Sequence, residues 1–242
     1  MIGKSKSATM GFTRIGGIAA IGFATLIVLA NVIMMPAGLP LTGAEIGEVT
    51  AFFATEDLTI GIGSALTPAA WILATLFGAG ALTALWRSER DRREAWSLLG
   101  LAGLALQNAT FAGVVATRLA LTATAPHDRS ATMGLWALHD AVFTLNGTFL
   151  ALALLGLSLG GLRTGLIRPW HATVGLLAAA LQFSSATLAH WVIDDGGALS
   201  LLGLLGWLMW VAWIVAYGIV LIRQSPDTPA RTFTGNRAIA PA

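Results

Sequence analysis

Six long apolar stretches follow one another along this chain of 242 residues and leave little room for a water-soluble fold. A helix needs about 20 apolar residues to cross a hydrocarbon core about 30 Å thick. Charged residues make up only 11% of the chain, against about a quarter in a typical soluble domain. Because backbone groups in lipid must be paired internally, the sequence predicts an all-α, polytopic membrane bundle of six transmembrane helices. The stretches are 15–35, 60–86, 95–117, 135–159, 172–193 and 201–222.

One membrane domain accounts for nearly the whole chain. We expect a cytoplasmic segment over 1–13, a transmembrane domain over 14–223 and a disordered cytoplasmic tail over 224–242. The tail carries Pro, Thr and Arg without apolar periodicity, which is typical of disorder. The first apolar stretch is about twice as long as the apolar core of a signal peptide, so we expect it to remain in the mature protein.

Basic residues gather on one side of the predicted membrane. With the N-terminus inside, twelve of the 14 lysines and arginines fall in cytoplasmic segments, while eight of the 12 acidic residues fall outside. Positive charge stays on the cytoplasmic side of membrane proteins, so both ends are predicted to be cytoplasmic. The Arg-, Ala- and Gly-rich composition favours a bacterial source, and hence the bacterial cytoplasmic membrane. The inner charges predict membrane lipids, and no nucleic acid, as partners.

Several kinds of chemistry lack the residues that they need. The chain has no cysteine, which excludes disulfides, iron–sulfur clusters and cysteine nucleophiles. Its only lysines, Lys4 and Lys6, lie outside the apolar stretches, so a retinal Schiff base in the membrane is excluded. The His-Glu-x-x-His pattern of zinc proteases does not occur.

Five ionisable side chains are predicted to meet near the outer boundary of the membrane: Arg118, His139, Asp140, His190 and Asp194. They come from three consecutive predicted helices, at similar depths when each residue rises 1.5 Å. His190 and Asp194 are four residues apart and share a helix face. Asp140 is the only acidic residue inside a predicted span, and such residues are paired or mark functional sites.

Three roles for these residues stay open. We favour a structural ion pair between Asp140 and Arg118, because a charge near a helix end costs less than one at its centre. A zinc site would use His139, His190 and either Asp194 or Asp140, with an open position for water. A haem b site would use His139 and His190 as its axial ligands.

Aromatic residues recur along one face of the sixth stretch. Trp207, Trp210, Trp213 and Tyr217 are spaced by three, three and four residues, which places them on one side of a helix. They would either form an aromatic wall for an apolar ligand or pack against helices rich in small residues. We favour packing, since such stripes are ordinary core.

Parts of the fourth and fifth stretches also match a familiar pattern. The segments are Leu138-His139-Asp140, Gly147, Leu154-Leu155-Gly156, 163–170 and Gly175-Leu176-Leu177, together with 14–19 near the start. This pattern resembles a bacterial family of six-helix integral membrane proteins that is defined only as a domain of unknown function. The resemblance extends over about 14–222 and implies six helices, but it carries over no catalytic residue. His171, after Pro169-Trp170, departs from the family's pattern.

The sequence leans towards a non-enzymatic or accessory membrane protein that binds a lipid or a small apolar ligand. One alternative is a metal-dependent membrane hydrolase with a His/Asp site in the outer leaflet. A small transporter is another. It is disfavoured because we expect neither charged residues at the bilayer midplane nor helices broken by Gly or Pro in both halves. Assembly of several copies stays open.

Overall fold

The structure, a computed structural model, describes residues 11–195 and 198–224, and every regular element within them is a helix. The predicted all-α class is confirmed. Most of the predicted terminal segments, 1–13 and 224–242, lies outside the described residues. In chain order the helices are α1 (Phe12–Met34), α2 (Ile46–Thr55), α3 (Asp57–Ala65), α4 (Thr67–Asp91), α5 (Trp96–Thr124), α6 (Arg129–Leu145), α7 (Gly147–Arg163), α8 (Pro169–Thr187), α9 (Ala189–Asp195) and α10 (Ser200–Arg223).

Five runs of helix are long and apolar enough to cross a membrane, and the chain is a multi-pass membrane protein on that basis. They correspond to five of the six predicted stretches. The remaining stretch, 172–193, falls on α8 and α9 and is not among the five. Polar side chains such as His171 and Gln182 make α8 less apolar, and the helix is interrupted at Leu188. The five runs are Phe12–Met34, Asp57–Asp91, Trp96–Thr124, Arg129–Arg163 and Ser200–Arg223.

Six helices close into a ring in the order α1, α4, α5, α7, α8 and α10, with α10 packed against α1 again. Large side chains fill the middle of this ring, among them Phe23, Phe77, Leu157, Trp213 and Tyr217. Lipid gives helices no hydrophobic reason to associate, so close packing must hold them together. The ring is therefore a packed core rather than a channel.

Glycines allow several pairs of helices in the ring to touch through their backbones, and two of these contacts serve as examples. A Cβ on Gly17 of α1 would lie 2.5 Å from the Gly218 carbonyl oxygen of α10. A Cβ on Gly156 of α7 would lie 2.4 Å from the Gly100 nitrogen of α5. Any larger residue at these positions would push the helices apart.

One predicted loop contains helices that the sequence analysis does not predict. Segment 36–59 holds α2 and the start of α3, which cover the ends of α1, α5 and α6. Val49, Phe52 and Phe53 of α2 are buried at helical spacing in a second apolar cluster, which also includes Leu121 and Trp136. We call this end of the bundle the cap end, and the opposite end, where α1 begins and α10 finishes, the terminal end.

Two of the membrane runs each consist of two helices that meet at one residue. α3 and α4 meet at Leu66, and α6 and α7 meet at Asn146, halfway along Arg129–Arg163. Both residues keep right-handed helical backbone angles. At Asn146 the turn tightens locally, because Phe149 N–H also bonds to the Asn146 carbonyl at 3.1 Å. The sequence analysis does not predict these junctions.

Candidate functional site

The structure brings three of the five predicted ionisable residues together at the cap end. Arg118 Nε donates to His139 Nε2 at 3.0 Å. The other ring nitrogen of His139, Nδ1, lies 3.1 Å from Asp140 Oδ1. Asp140 Oδ2 accepts from the backbone N–H of Gly43 at 2.9 Å. We call Arg118, His139, Asp140 and the Gly43 N–H the cap-end network.

The directions of these hydrogen bonds define the protonation of His139. An arginine can only donate, so Nε2 must be the acceptor and carry no proton. Nδ1 then carries the proton and donates to the Asp140 carboxylate. The imidazole is neutral, and it stands between a cation and an anion that the sequence analysis expected to pair directly.

Apolar side chains enclose the cap-end network. Arg118, His139 and Asp140 are 8%, 3% and 1% exposed. The His139 ring stacks on Trp136 with centroids 4.7 Å apart and on Phe143 at 5.9 Å. Buried charges are costly unless they are paired and hydrogen-bonded. The opposite charges of Arg118 and Asp140 let the set remain neutral overall.

Met34 and Phe143 also contact the Arg118 guanidinium. Arg118 Nη1 lies 3.9 Å from the Met34 sulfur, which is a weak acceptor. The guanidinium carbon lies 6.0 Å from the centre of the Phe143 ring, within the range of a cation–π contact. On the Arg118 side, therefore, the strong hydrogen bond is the one to His139.

His190 and Asp194 lie apart from this network. They sit on α9, mostly exposed, with His190 Nδ1 3.5 Å from Asp194 Oδ2. Across 11–195 and 198–224, no group of three or more His, Asp and Glu side chains is placed to hold a metal ion. A zinc or haem iron at His139 Nε2 would have to displace Arg118 from that atom.

The predicted aromatic face of the last helix divides into two parts. Trp210, Trp213 and Tyr217 are buried in the ring, where Trp213 and Tyr217 meet the Phe77 ring edge-on at 6.3 and 5.6 Å. Trp207 is only partly buried and faces a groove instead. Three of the four residues are thus core, and one lines an open surface.

The groove runs between α1 and α10 and has a volume of about 850 Å³. Its residues on α10 extend from Trp207 to Ile219, about 18 Å at 1.5 Å per residue. Ala212 and Ala216 leave its floor open, and Asn31 is the one amide among its lining residues. Since Asn31 Nδ2 donates to the Ile27 carbonyl of its own helix, the groove surface is almost wholly apolar.

A buried carboxylate at the terminal end was missed by the sequence analysis. Glu89, near the end of α4, is fully buried and accepts from the Ser97 N–H at 2.9 Å and from the Ser97 hydroxyl. Ser97 lies in the first turn of α5, where backbone N–H groups lack helical partners. Gly160 leaves the space that the carboxylate occupies, because a Cβ there would lie 2.5 Å from Glu89 Oε1.

A buried histidine also joins two ring helices near the terminal end. His171 Nε2 lies 3.0 Å from the Trp213 carbonyl oxygen, which can only accept, so this histidine carries its proton on Nε2. The bond ties α8 to α10. His139 and His171 therefore hold their protons on opposite ring nitrogens.

Segment 156–160 matches the Gly-x-Ser-x-Gly pattern of serine hydrolases in its letters only. Ser158 lies inside α7, whereas the hydrolase serine stands on a sharp turn between a strand and a helix. The Ser158 hydroxyl and Trp213 Nε1 are both buried, and neither has a hydrogen-bond partner. Both atoms pack against Gly175, where a Cβ would collide with them.

Two buried amides lie at similar heights near the junction of α6 and α7. Asn146 lies between Phe143, whose ring is 6.4 Å from that of Phe111 on α5, and Ala153, which contacts Gly103 on α5. Gln107 lies between Gly103 and Phe111 along α5. Gln107 Oε1 and Asn146 Oδ1 are buried without hydrogen-bond partners. The middle of the bundle thus holds two unpaired acceptors.

Comparisons of the chain with protein-family models, with curated proteins and with solved structures found no match. The resemblance to a six-helix membrane family stays a prediction.

Proposed function

We propose that the chain crosses the bacterial cytoplasmic membrane six times, with both ends in the cytoplasm. The crossing that adds to the five runs is formed by α8 with α9, and α8 packs in the ring between α7 and α10. The distribution of lysines and arginines supports the orientation. The cap end then faces outward and the terminal end faces the cytoplasm.

Reporter fusions test this topology. Reporters placed after Pro40, Asp128 and Leu199 should be active outside, and those after Glu94, Arg168 and Gln224 inside. A reporter after Leu199 that is active inside, together with one after Gln224 that is active outside, would overturn the six-span proposal, because five spans without α8 give that result. Fusions after Pro40 and Glu94 are the controls, since they flank runs that qualify as spans by themselves.

We propose that the protein is a non-enzymatic or accessory membrane protein that binds an apolar chain, such as a lipid tail, in the groove between α1 and α10. The observation that carries this proposal is the groove itself. It is an open, apolar groove of about 850 Å³, a shape that suits a lipid tail lying along the two helices rather than an enclosed ligand. It lies on two membrane-spanning helices, so lipid is the molecule that meets it first.

The packing of α1 and α10 accounts for the groove. The two helices touch at Gly17 and Gly218, and the Phe23 ring meets Trp210 edge-on at 5.3 Å on the buried side. On the lipid side, Ala212 and Ala216 are too small to fill the space between the helices. Trp207 stands along this space as a rigid wall, as the sequence analysis considered for an apolar ligand.

Photolabelling in nanodiscs tests the groove. A phospholipid with a diazirine in one acyl chain should label 27–36 and 207–219 more strongly than the other lipid-facing segments. Ala212→Trp fills the groove and should reduce this labelling at least about fivefold. Ala180→Trp makes the same change on an exposed face of α8 and should leave the labelling unchanged. Equal labelling around the bundle, unaffected by Ala212→Trp, would contradict the proposal.

A small transporter is a second candidate function. Transporter sites lie near the bilayer midplane and need polar groups there, and the unpaired oxygens of Gln107 and Asn146 near the middle of the bundle support it. Because the chain has no cysteine, a single Thr148→Cys can be probed with a membrane-impermeant thiol reagent. Reaction from both sides of the membrane supports transport, and protection from both sides contradicts it.

A further inference from the structure

The hydrogen bond between Arg118 and His139 exists only while one ring nitrogen carries no proton. Arg118 Nε–H donates to His139 Nε2 at 3.0 Å, so Nε2 must present its lone pair. A proton added to Nε2 would place two N–H donors against each other. It would also create a second positive charge beside the guanidinium, in a setting where charges are poorly screened.

We propose that His139 Nε2 is a proton-binding site at the cap end, whose occupation detaches Arg118 from α6 and leaves Asp140 joined to the Gly43 segment. The proton comes from hydronium or a buffer acid in the surrounding water, whose bond to the proton breaks as the Nε2–H bond forms, and no other covalent bond changes. The imidazolium keeps its Nδ1 donor on Asp140 Oδ1, while Asp140 Oδ2 keeps the Gly43 N–H. One end of the cap-end network breaks, and the other end is strengthened by the new charge.

Arg118 can leave because little else holds it. Apart from His139, its guanidinium contacts the weak acceptor Met34 and the face of Phe143. Arg118 lies six residues before the end of α5, about 9 Å at 1.5 Å per residue. A long arginine side chain can extend over much of that distance to reach water. The released state therefore has a place for the cation.

The other charged groups around α6 are exposed or distant. Their titration should therefore have little effect on the hydrogen bond between Arg118 and His139. Arg118 on α5 and Asp140 on α6 itself are the groups in contact with the ring. Charged or titratable groups from the other parts that pack against α6 near the cap end are exposed: Glu45 and Glu48 beside and on α2, Arg129 at the start of α6, and His190 and Asp194 on α9. The nearest ones on α7 and α8 lie at the terminal end: Arg163 and His171.

Loss of the bond loosens a specific place in the fold. Arg118 to His139 is a polar contact between the cap-side halves of α5 and α6, and through Met34 it also reaches α1. A second hydrogen bond joins Thr132 Oγ1 of α6 to Thr124 Oγ1 at the end of α5 at 3.3 Å. After protonation, α5 and α6 would keep that bond beside their connecting loop but would lose the polar contact nearer the middle of the bundle. In the proposed orientation the proton would come from outside the cell.

Nitrogen-15 NMR of histidine-labelled protein in nanodiscs tests where the protons are. A His127→Gln, His190→Gln variant removes the two exposed histidines and leaves the signals of His139 and His171. At pH 8 these two should show opposite tautomers, Nδ1–H for His139 and Nε2–H for His171. On acidification, the Nδ1–H signal should convert to the imidazolium while the protein stays folded. Absence of an Nδ1–H signal at pH 8, or no conversion of that signal down to pH 4, would overturn the proposal.

A distance between spin labels tests whether Arg118 is released. Labels at Ala123→Cys on α5 and Met133→Cys on α6 should move apart at the same midpoint pH as the NMR conversion. His139→Gln should abolish this movement, and His190→Gln, at the other cap-end histidine, should preserve it. Conversion without movement, or movement that survives His139→Gln, would overturn the proposal. Nanodiscs expose both ends to the buffer, so the result does not depend on the orientation in the cell.

Discussion

The two ends of the bundle each bury a carboxylate, and they stabilise it in different ways. At the cap end, Asp140 belongs to a network that joins α5, α6 and the segment before α2, with residues up to 97 positions apart. At the terminal end, Glu89 bonds to Ser97, eight residues further on. The first carboxylate ties distant parts of the chain together. The second carboxylate links the end of α4 to the start of α5.

The difference teaches what each buried charge depends on. Asp140 is balanced by Arg118 through the His139 ring, so its stability depends on a partner that can be removed. Glu89 is balanced by backbone and hydroxyl donors at the start of α5, where the helix carries a partial positive charge. Such donors remain as long as the helix does. Substitutions at the two ends should therefore differ in size and in coupling.

Asp140→Asn should have the largest effect. It leaves the buried Arg118 guanidinium without a counter-charge, which costs about 3 kcal/mol or more of unfolding free energy. Combined with Arg118→Gln, the loss should be smaller than the sum of the two single losses, since each alone strands the other charge. Thermal or denaturant unfolding in detergent measures all three variants. Additive losses would break the comparison, because Asp140 and Arg118 would then act independently.

Glu89→Gln should cost less, about 1 kcal/mol. The amide oxygen can still accept the Ser97 N–H, so the losses are the charge at the helix start and part of the bond from the Ser97 hydroxyl. Ser97→Ala in the Glu89→Gln background should add little, since the hydroxyl bond is already weakened. The same unfolding assay applies. A loss as large as that of Asp140→Asn would show that Glu89 has a cationic partner.

Gln107→Leu, between the two ends, should have the opposite sign. It removes a buried acceptor that has no partner, and this should leave stability unchanged or raise it by up to about 1 kcal/mol. Gln182→Leu is the matched control, because Gln182 Nε2 donates to the Gly203 carbonyl at 3.0 Å. We expect that control to be destabilising in the same unfolding measurement. Destabilisation by Gln107→Leu would instead indicate that a bound water or ligand pairs with this amide.

Arg163→Gln should have the smallest effect, less than about 0.5 kcal/mol. Its ion pair with Glu94 is short, 2.7 Å, but the Arg163 side chain is 52% exposed. Pairs in water contribute little and are screened by salt. Unfolding at low and high salt should show a small loss that disappears with salt. A large, salt-independent loss would place a third structurally important charge in the bundle.

The sequence predicted the cap-end residues better than the terminal-end ones for a physical reason. Asp140 stands out because it is the one acidic residue inside an apolar stretch. Glu89 lies in the charged segment 87–94 between two predicted spans, where its neighbours are also charged and nothing marks one carboxylate as buried. Its burial depends on Gly160 and Ser97, and no spacing within 87–94 indicates either contact.

The helices were predictable wherever apolar length alone decides. The stretches that became α1, α5 and α10 needed only their length. α2 was missed because a ten-residue helix is too short to qualify as a span, although Val49, Phe52 and Phe53 show its period. The meeting of Arg118 with His139 followed from depth, but the placement of His190 and Asp194 did not. Depth along a helix says nothing about the direction in which a side chain points.

The ring has a seam, since the first and last spanning helices complete it. Gly17 contacts Gly218 of α10, the last helix of the ring to be synthesised. The ring can therefore close only after α10 has been made. Both helices also reach the terminal end side by side, with Gly17 against Ile222. A circular permutant, with the old ends joined and new ends placed between α7 and α8, would keep all the contacts between neighbouring helices of the ring. The groove between α1 and α10 follows the line along which the first helix of the ring packs against the last.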